Sequence, residues 1–192
     1  MQFDEFKDLV KNTRTTRRFK KDIKIEPKEL EEVIDIARVT SSAMNKQPLK
    51  YIFVTKEELV KSLASTCKWA SHLTQWTQSE DEQPSAFIVV LNDKSIDGFA
   101  MVDCGITLNS IMLGLKIKGY ASSPLASIDK ELCKTLFSLE SNLEPILGIA
   151  VGIEDETIKI VKVQEDTNYY RDEDDNHCVP KRDLNQIIVG KF

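Results

Sequence analysis

Histidine is nearly absent from this chain: His72 and His177 are the only two in 192 residues. That scarcity excludes a histidine-rich metal site, and the adjacent His177-Cys178 pair has no further ligand at a recognisable spacing. The four cysteines, Cys67, Cys104, Cys133 and Cys178, are scattered and form no C-x-x-C pair. A zinc knuckle and a thioredoxin-like motif are thereby excluded, and free thiols are expected where nothing points to secretion. No glycine fingerprint of the Rossmann type is present. No apolar run is expected to approach the length of a membrane span. The opening Met1-Gln2-Phe3-Asp4-Glu5 is acidic, unlike a charged-then-apolar leader. A surplus of basic charge is missing too: the net charge is -5 and the pI about 5.2. Nucleic acid is therefore not the expected partner, and neither is a membrane. The cytoplasm is the expected location. There are no internal repeats and no low-complexity tract.

What is present reads as one globular domain over 1–192. The composition is 41% hydrophobic and 30% charged, ordinary for a chain of this length. Phe3, Phe6, Leu9 and Val10 recur at helical spacing, with Asn12 as a stop. Pro27 and the acids Glu29, Glu31 and Glu32 open a second helix whose apolar face is Leu30, Val33, Ile34 and Ala37. A polar loop, Ser41-Ser42-Ala43-Met44-Asn45-Lys46-Gln47-Pro48, ends it. Tyr51 to Thr55 is rich in strand formers. A helix over Lys56–Ser65 leads into an acidic, tryptophan-bearing excursion, Lys68 to Gln83, expected to be mobile, with Trp69 and Trp76 as its anchors. The runs Ala86–Leu91 and Pro145–Val151 are continuously apolar, as in strands covered on both faces. Between them the longest helical pattern, about Phe99 to Lys118, is apolar almost all round and is expected to be central and buried; Asp103 and Asn109 within it need partners. Ser122-Ser123-Pro124-Leu125 reads as a polar turn, Asp129 as the cap of a helix to Phe137, Ile158–Val163 as a short strand, and Asp172–Asp175 as a solvated turn.

The stretch that organises the chain is Arg14-Thr15-Thr16-Arg17-Arg18-Phe19, with three guanidinium groups and two hydroxyls in six residues. Planar bidentate donors beside short neutral donors are suited to clamping a phosphate. On spacing alone a solvated basic loop is the better fit.

With the Ser41–Pro48 loop, the Asp103-Cys104-Gly105 to Asn109 helix, Gly119, Ser122, Ser123 and the Lys181-Arg182 tail, this stretch resembles the FMN-dependent nitroreductases. Thr15 stands where that pattern has serine, and Ser41 where it has proline. The resemblance implies an α+β fold, with a mixed or antiparallel sheet surrounded by helices around a long central helix. It implies FMN as cofactor and a homodimer with the flavin at the interface. Arg14, Thr15, Lys181 and Arg182 would surround the phosphate, and Arg17 would meet the pyrimidine edge. Ser42, Asn45 and Gln47 would hydrogen-bond the ring, with Ser122 and Ser123 approaching from the far side. The implied activity is hydride transfer from NADH or NADPH to a small electrophile such as a nitroaromatic or quinone, with no catalytic side chain required. A flavin-binding sensor or store without efficient turnover is the alternative.

Overall fold

Two uninterrupted apolar runs pair to form the centre of the molecule. The computed structural model describes residues 1–192. Strand β2 (Ala86–Asp93) lies antiparallel to β4 (Leu143–Gly152), β1 (Leu49–Val54) pairs with the other edge of β2, and β3 (Ala121–Leu125) with the other edge of β4. The sheet order is β1-β2-β4-β3, antiparallel throughout. The β2–β4 register slips between Val90 and Leu91, where Leu91 meets Pro145. Proline has no amide to give the ladder, so the irregularity falls where the pairing is already interrupted.

Alternation along β2 sends its side chains into two cores. Phe87, Val89 and Leu91 pack with Val60, Leu63 and Ala64 of α3 (Glu57–Thr66) and with Cys133 of α5 (Lys130–Leu136). Ile88 and Val90 pack with Leu30 and Val33 of α2 (Pro27–Arg38) and with Cys104, Ile111 and Leu115 of α4 (Ala100–Ile117). Each large side chain taken fully out of water contributes roughly 1.5–3 kcal/mol, which is why a doubly covered strand needs no polar alternation.

Helix α4 departs from expectation in an instructive way. Within one chain it is covered on one side only: Asp103, Cys104, Thr107, Ile111 and Leu115 are buried, whereas Met101 is 71% exposed and Val102 56%. Its 18 residues have a mean hydropathy of 1.3, so by length and composition alone it is long and apolar enough to cross a membrane. That corrects the expectation that no apolar run approaches such a length. Here it packs on α2 and the sheet. Helix α1 (Phe3–Asn12) lies beside it and also leaves its apolar face bare, with Phe3 78% exposed.

Two local readings need correction. Ser122 and Ser123 lie in strand β3, not in a turn; both are buried because pairing with Val151 and Ala150 of β4 outweighs their weak strand preference. The Lys68–Gln83 segment is tied down rather than loose. Trp69 packs edge-on to Phe19 at 6.4 Å and tilted to Phe87 at 6.5 Å, while its indole N–H donates to the Ala64 carbonyl at 3.1 Å. The region after Ile153 forms a second sheet of β5 (Ile158–Lys162), β6 (Tyr170–Arg171) and β7 (His177–Lys181), in the order β5-β7-β6. A short helix, α6 (Leu184–Ile187), follows.

Candidate functional site

The basic stretch begins where α1 ends. Thr13 closes the helix through its backbone N–H and its hydroxyl, both donating to the Leu9 carbonyl. Arg14 folds back and donates from Nε to the Thr13 carbonyl at 2.7 Å and from Nη2 to the Val10 carbonyl at 2.8 Å. A cation on the last carbonyls of a helix is favourably placed, and Nη1 is left uncommitted. Thr15 then bridges in parallel to Ser122, and the Thr16 amide donates to the Ser122 carbonyl at 3.0 Å. The loop is thus pinned along the edge of the main sheet.

Arg17 and Arg18 part company. Arg17 is 8% exposed; its Nε donates to the Trp69 carbonyl at 3.0 Å, its Nη1 reaches the Thr15 carbonyl at 3.3 Å and His177 Nε2 at 3.0 Å, and its plane lies 4.2 Å from the Tyr169 ring centroid. Arg18 points elsewhere, to Glu82 at 2.7 Å and to Asp175. One Glu156 oxygen accepts from the amides of both residues, at 2.5 and 3.2 Å, while its other oxygen pairs with Arg171 at 2.7 Å. The expected solvated turn around Asp175 is therefore part of an ion-pair network that fixes the basic loop. Phe19 completes the anchor: a Cβ at Gly152 would come within 2.7 Å of its ring, so only glycine fits opposite.

Between these elements lies a cleft of about 330 Å³. Thr13, Arg14, Thr15 and Arg17 form one wall, Asn109 and Met112 of α4 a second, and Tyr169, His177 and Lys181 a third. It contains three cationic side chains and no carboxylate in a protein of net charge -5. That donor set suits an anion.

A second cleft, of about 460 Å³, opens between α2, β1 and α4. Ser42 donates its hydroxyl to Asp103 Oδ2 at 2.5 Å, the Ala43 amide donates to Oδ1 at 2.9 Å, and the Gln47 amide donates to Ser42 Oγ at 2.9 Å. Asp103 thereby finds the partners its burial requires. Gln47 Nε2 donates to Asn45 Oδ1 at 2.9 Å. Met44, Asn45 and Gln47 all have positive φ, at 51°, 56° and 52°. Left-handed backbone costs a non-glycine residue roughly 1–2 kcal/mol, and the Asp103 anchor holds the loop in that form. Burial raises the pKa of Tyr51 on the opposite wall.

The two clefts share no lining residue: Asp103 and Thr107 face one, Asn109, Met112 and Leu113 the other. Of the residues singled out from the sequence, Arg14, Thr15, Arg17 and Lys181 meet in the first, and Ser42 and Gln47 in the second, with Asn45 bonded to Gln47. Ser122 and Ser123 line neither; they support the basic loop from within β3, and the Ser123 hydroxyl is buried without a partner. Arg182 is exposed and also lines neither cleft. His177 and Cys178 do not act together: neighbouring strand residues point to opposite faces, and Cys178 turns to Asp172. Sequence reading missed Tyr169 and His177 as cleft residues and Glu156 as the loop's anchor. Only the rarity of histidine could have drawn attention to His177.

An antiparallel sheet with helices on both faces, with a cleft lined by cationic side chains behind its first helix, defines an α+β protein. The chain belongs to the nitroreductase family, whose sequence model matches residues 10–153, and it is by that membership an oxidoreductase. It is 20% identical over 191 residues to YdgI of Bacillus subtilis strain 168, which bears an NAD(P)H nitroreductase name; 78% of this chain and 88% of that one are covered. A nitroreductase family protein of Clostridium difficile 630 shares 27% identity at a TM-score of 0.64, covering 81% of this chain and 86% of that one. Another, from Streptococcus pneumoniae TIGR4, shares the fold at 20% identity and a TM-score of 0.69, covering 97% and 100%. Tyr169, His177 and Lys181 lie beyond the matched residues.

Proposed function

We propose that the protein is an FMN-dependent oxidoreductase that acts as a homodimer and moves hydride from NADH or NADPH to a small electrophile, a nitroaromatic or a quinone. The observation that carries this reading is the first cleft, with Arg14, Arg17 and Lys181 around one space and no carboxylate among them. When bound, FMN supplies the hydride chemistry.

The chain's own groups bind and orient. Arg14, through its uncommitted Nη1, Lys181 and the Thr15 hydroxyl hold the phosphate, each charge-assisted hydrogen bond contributing roughly 1.5–3 kcal/mol. Arg17 presents a cation to the pyrimidine edge and favours the negative charge gained on reduction. Ser42 and Gln47 line a separate cleft of the same chain, with Asn45 bonded to Gln47, so these three serve the site of a second copy. The bare stripe of Met101, Val102 and Ile106 on α4, together with the bare face of α1, is the surface that copy would cover.

Purified protein is expected to be yellow, or to become so with added FMN, and to bleach under NADH or NADPH without oxygen. Protein that stays colourless at saturating FMN would refute the reading. Protein that binds FMN yet is reduced no faster than free flavin would be a flavin store.

A further inference from the structure

His177 opens β7 and is wholly buried, yet it lines the basic cleft. Its Nε2 lies 3.0 Å from Nη1 of Arg17. A guanidinium offers only donors, so the imidazole accepts at Nε2 and carries its proton on Nδ1. The surroundings enforce this neutral form. Burial first, then the charge of Arg17, push the His177 pKa down to about 4; Arg171 and Arg18 act in the same direction and Glu156 opposes them. The Tyr169 ring lies tilted at 5.2 Å, with His72 edge-on to it at 4.7 Å.

The Nδ1 atom is buried and has no protein partner. A stranded donor destabilises a fold, and a phenyl ring would fill the same space without one. Stability does not account for this histidine, whereas its bond to Arg17 does. With Nε held by the Trp69 carbonyl, Nη1 by His177 and the face by Tyr169, the plane of the guanidinium is fixed and Nη2 alone has no protein acceptor.

We propose that His177 is a positioning residue: it fixes the plane of Arg17 so that Nη2 is offered to a hydrogen-bond acceptor of a ligand in the basic cleft. The inference rests on the flavin reading and adds to it a group outside the residues matched by the family.

The test uses His177→Phe, which keeps the ring, and His177→Gln, which returns an acceptor near Nε2, each alone and with Arg17→Leu. FMN affinity is read from flavin fluorescence quenching, and the flavin midpoint potential from spectroelectrochemistry. His177→Phe is expected to weaken FMN about tenfold and to lower the potential, while His177→Gln restores both towards the parent. With Arg17→Leu present, His177→Phe should change neither. Equal losses with and without Arg17, or no loss at all, would overturn the proposal while leaving FMN binding intact. Parent protein that takes up no FMN refutes the flavin reading and this inference with it. Should His177→Phe not fold, ¹⁵N NMR of the parent and of Arg17→Leu decides: an imidazole that is protonated at Nε2, or whose titration is unchanged by loss of Arg17, overturns the contact.

Discussion

The two clefts are built on opposite plans. The Ser42–Gln47 cleft is a local device, a six-residue loop in high-energy backbone conformations held by one carboxylate from α4. The basic cleft is assembled from distant pieces: its central contact joins residues 160 positions apart, and every contact made by Glu156 with the loop spans about as much chain. One is shaped by strain and an anchor, the other by a network of ion pairs and rings. Damage to the first should therefore be concentrated at Asp103, whereas damage to the second should be shared among several side chains.

The largest effect tests whether the two plans serve one site. A chain with Arg14→Ala and Arg17→Ala, and another with Ser42→Ala and Asn45→Ala, are each expected to be inactive as homodimers. Refolded together, they should form mixed dimers with one intact site and up to half the parental activity per dimer. Mixed dimers confirmed by mass yet devoid of activity would show that each site is built within one chain and would rule the shared site out.

Next in size is Asp103→Ala, which leaves the Ser42 hydroxyl and the Ala43 amide without their acceptor. A loss of about 3 kcal/mol in denaturant-measured stability is expected, with phosphate affinity at the basic cleft unchanged. A loss below about 0.5 kcal/mol would show that the loop holds itself.

Within the basic cleft, Lys181→Ala should weaken FMN by about tenfold or more and riboflavin hardly at all, since riboflavin has no phosphate. Arg182→Ala should affect neither, because Arg182 lies outside the cleft. Calorimetric titration of both ligands separates the neighbours; equal effects at 181 and 182 would assign phosphate binding to the tail as a whole.

The remaining contrast is a pH dependence. His177 has an unfolded value near 6.5 and titrates at about 4 in the folded protein. Between those values the unfolded chain binds more protons, so the contribution is complete above pH 6.5 and is lost as pH falls towards 4. The parent should lose on the order of 2 kcal/mol more than His177→Gln across that window, with the carboxylate contributions common to both cancelling. Parallel stability curves would show that the histidine is not held neutral.

Much of the fold was legible because burial writes itself into composition. The runs in β2 and β4 have no polar alternation, and α4 has too few polar residues to be a surface helix, although composition could not say that half of its cover would be missing within one chain. Strand β3 was opaque because Ser122, Ser123 and Pro124 favour turns, and only pairing with β4 makes them extended. Strand β7 was hidden for the same reason by Pro180, opposite Val161. Motif order pointed to the residues of both clefts, and the resemblance implied Arg14 and Arg17 from one chain with Ser42 to Gln47 from the other; spacing alone could not show that the two clefts of one chain share no lining residue. Nor could any local pattern reveal His177 as the partner of Arg17, since that contact is made by tertiary structure alone.

The amides of Arg17 and Arg18 close on Glu156, and the side chain of Arg17 on His177. This sets a clock on maturation. At about 5–20 residues per second, a ribosome needs roughly ten seconds or more to travel from the arginine to the histidine. A nascent chain that has already paired β2 with β4 still lacks the groups that orient its cation. Arg17 therefore gains these contacts only once the chain has been made through His177.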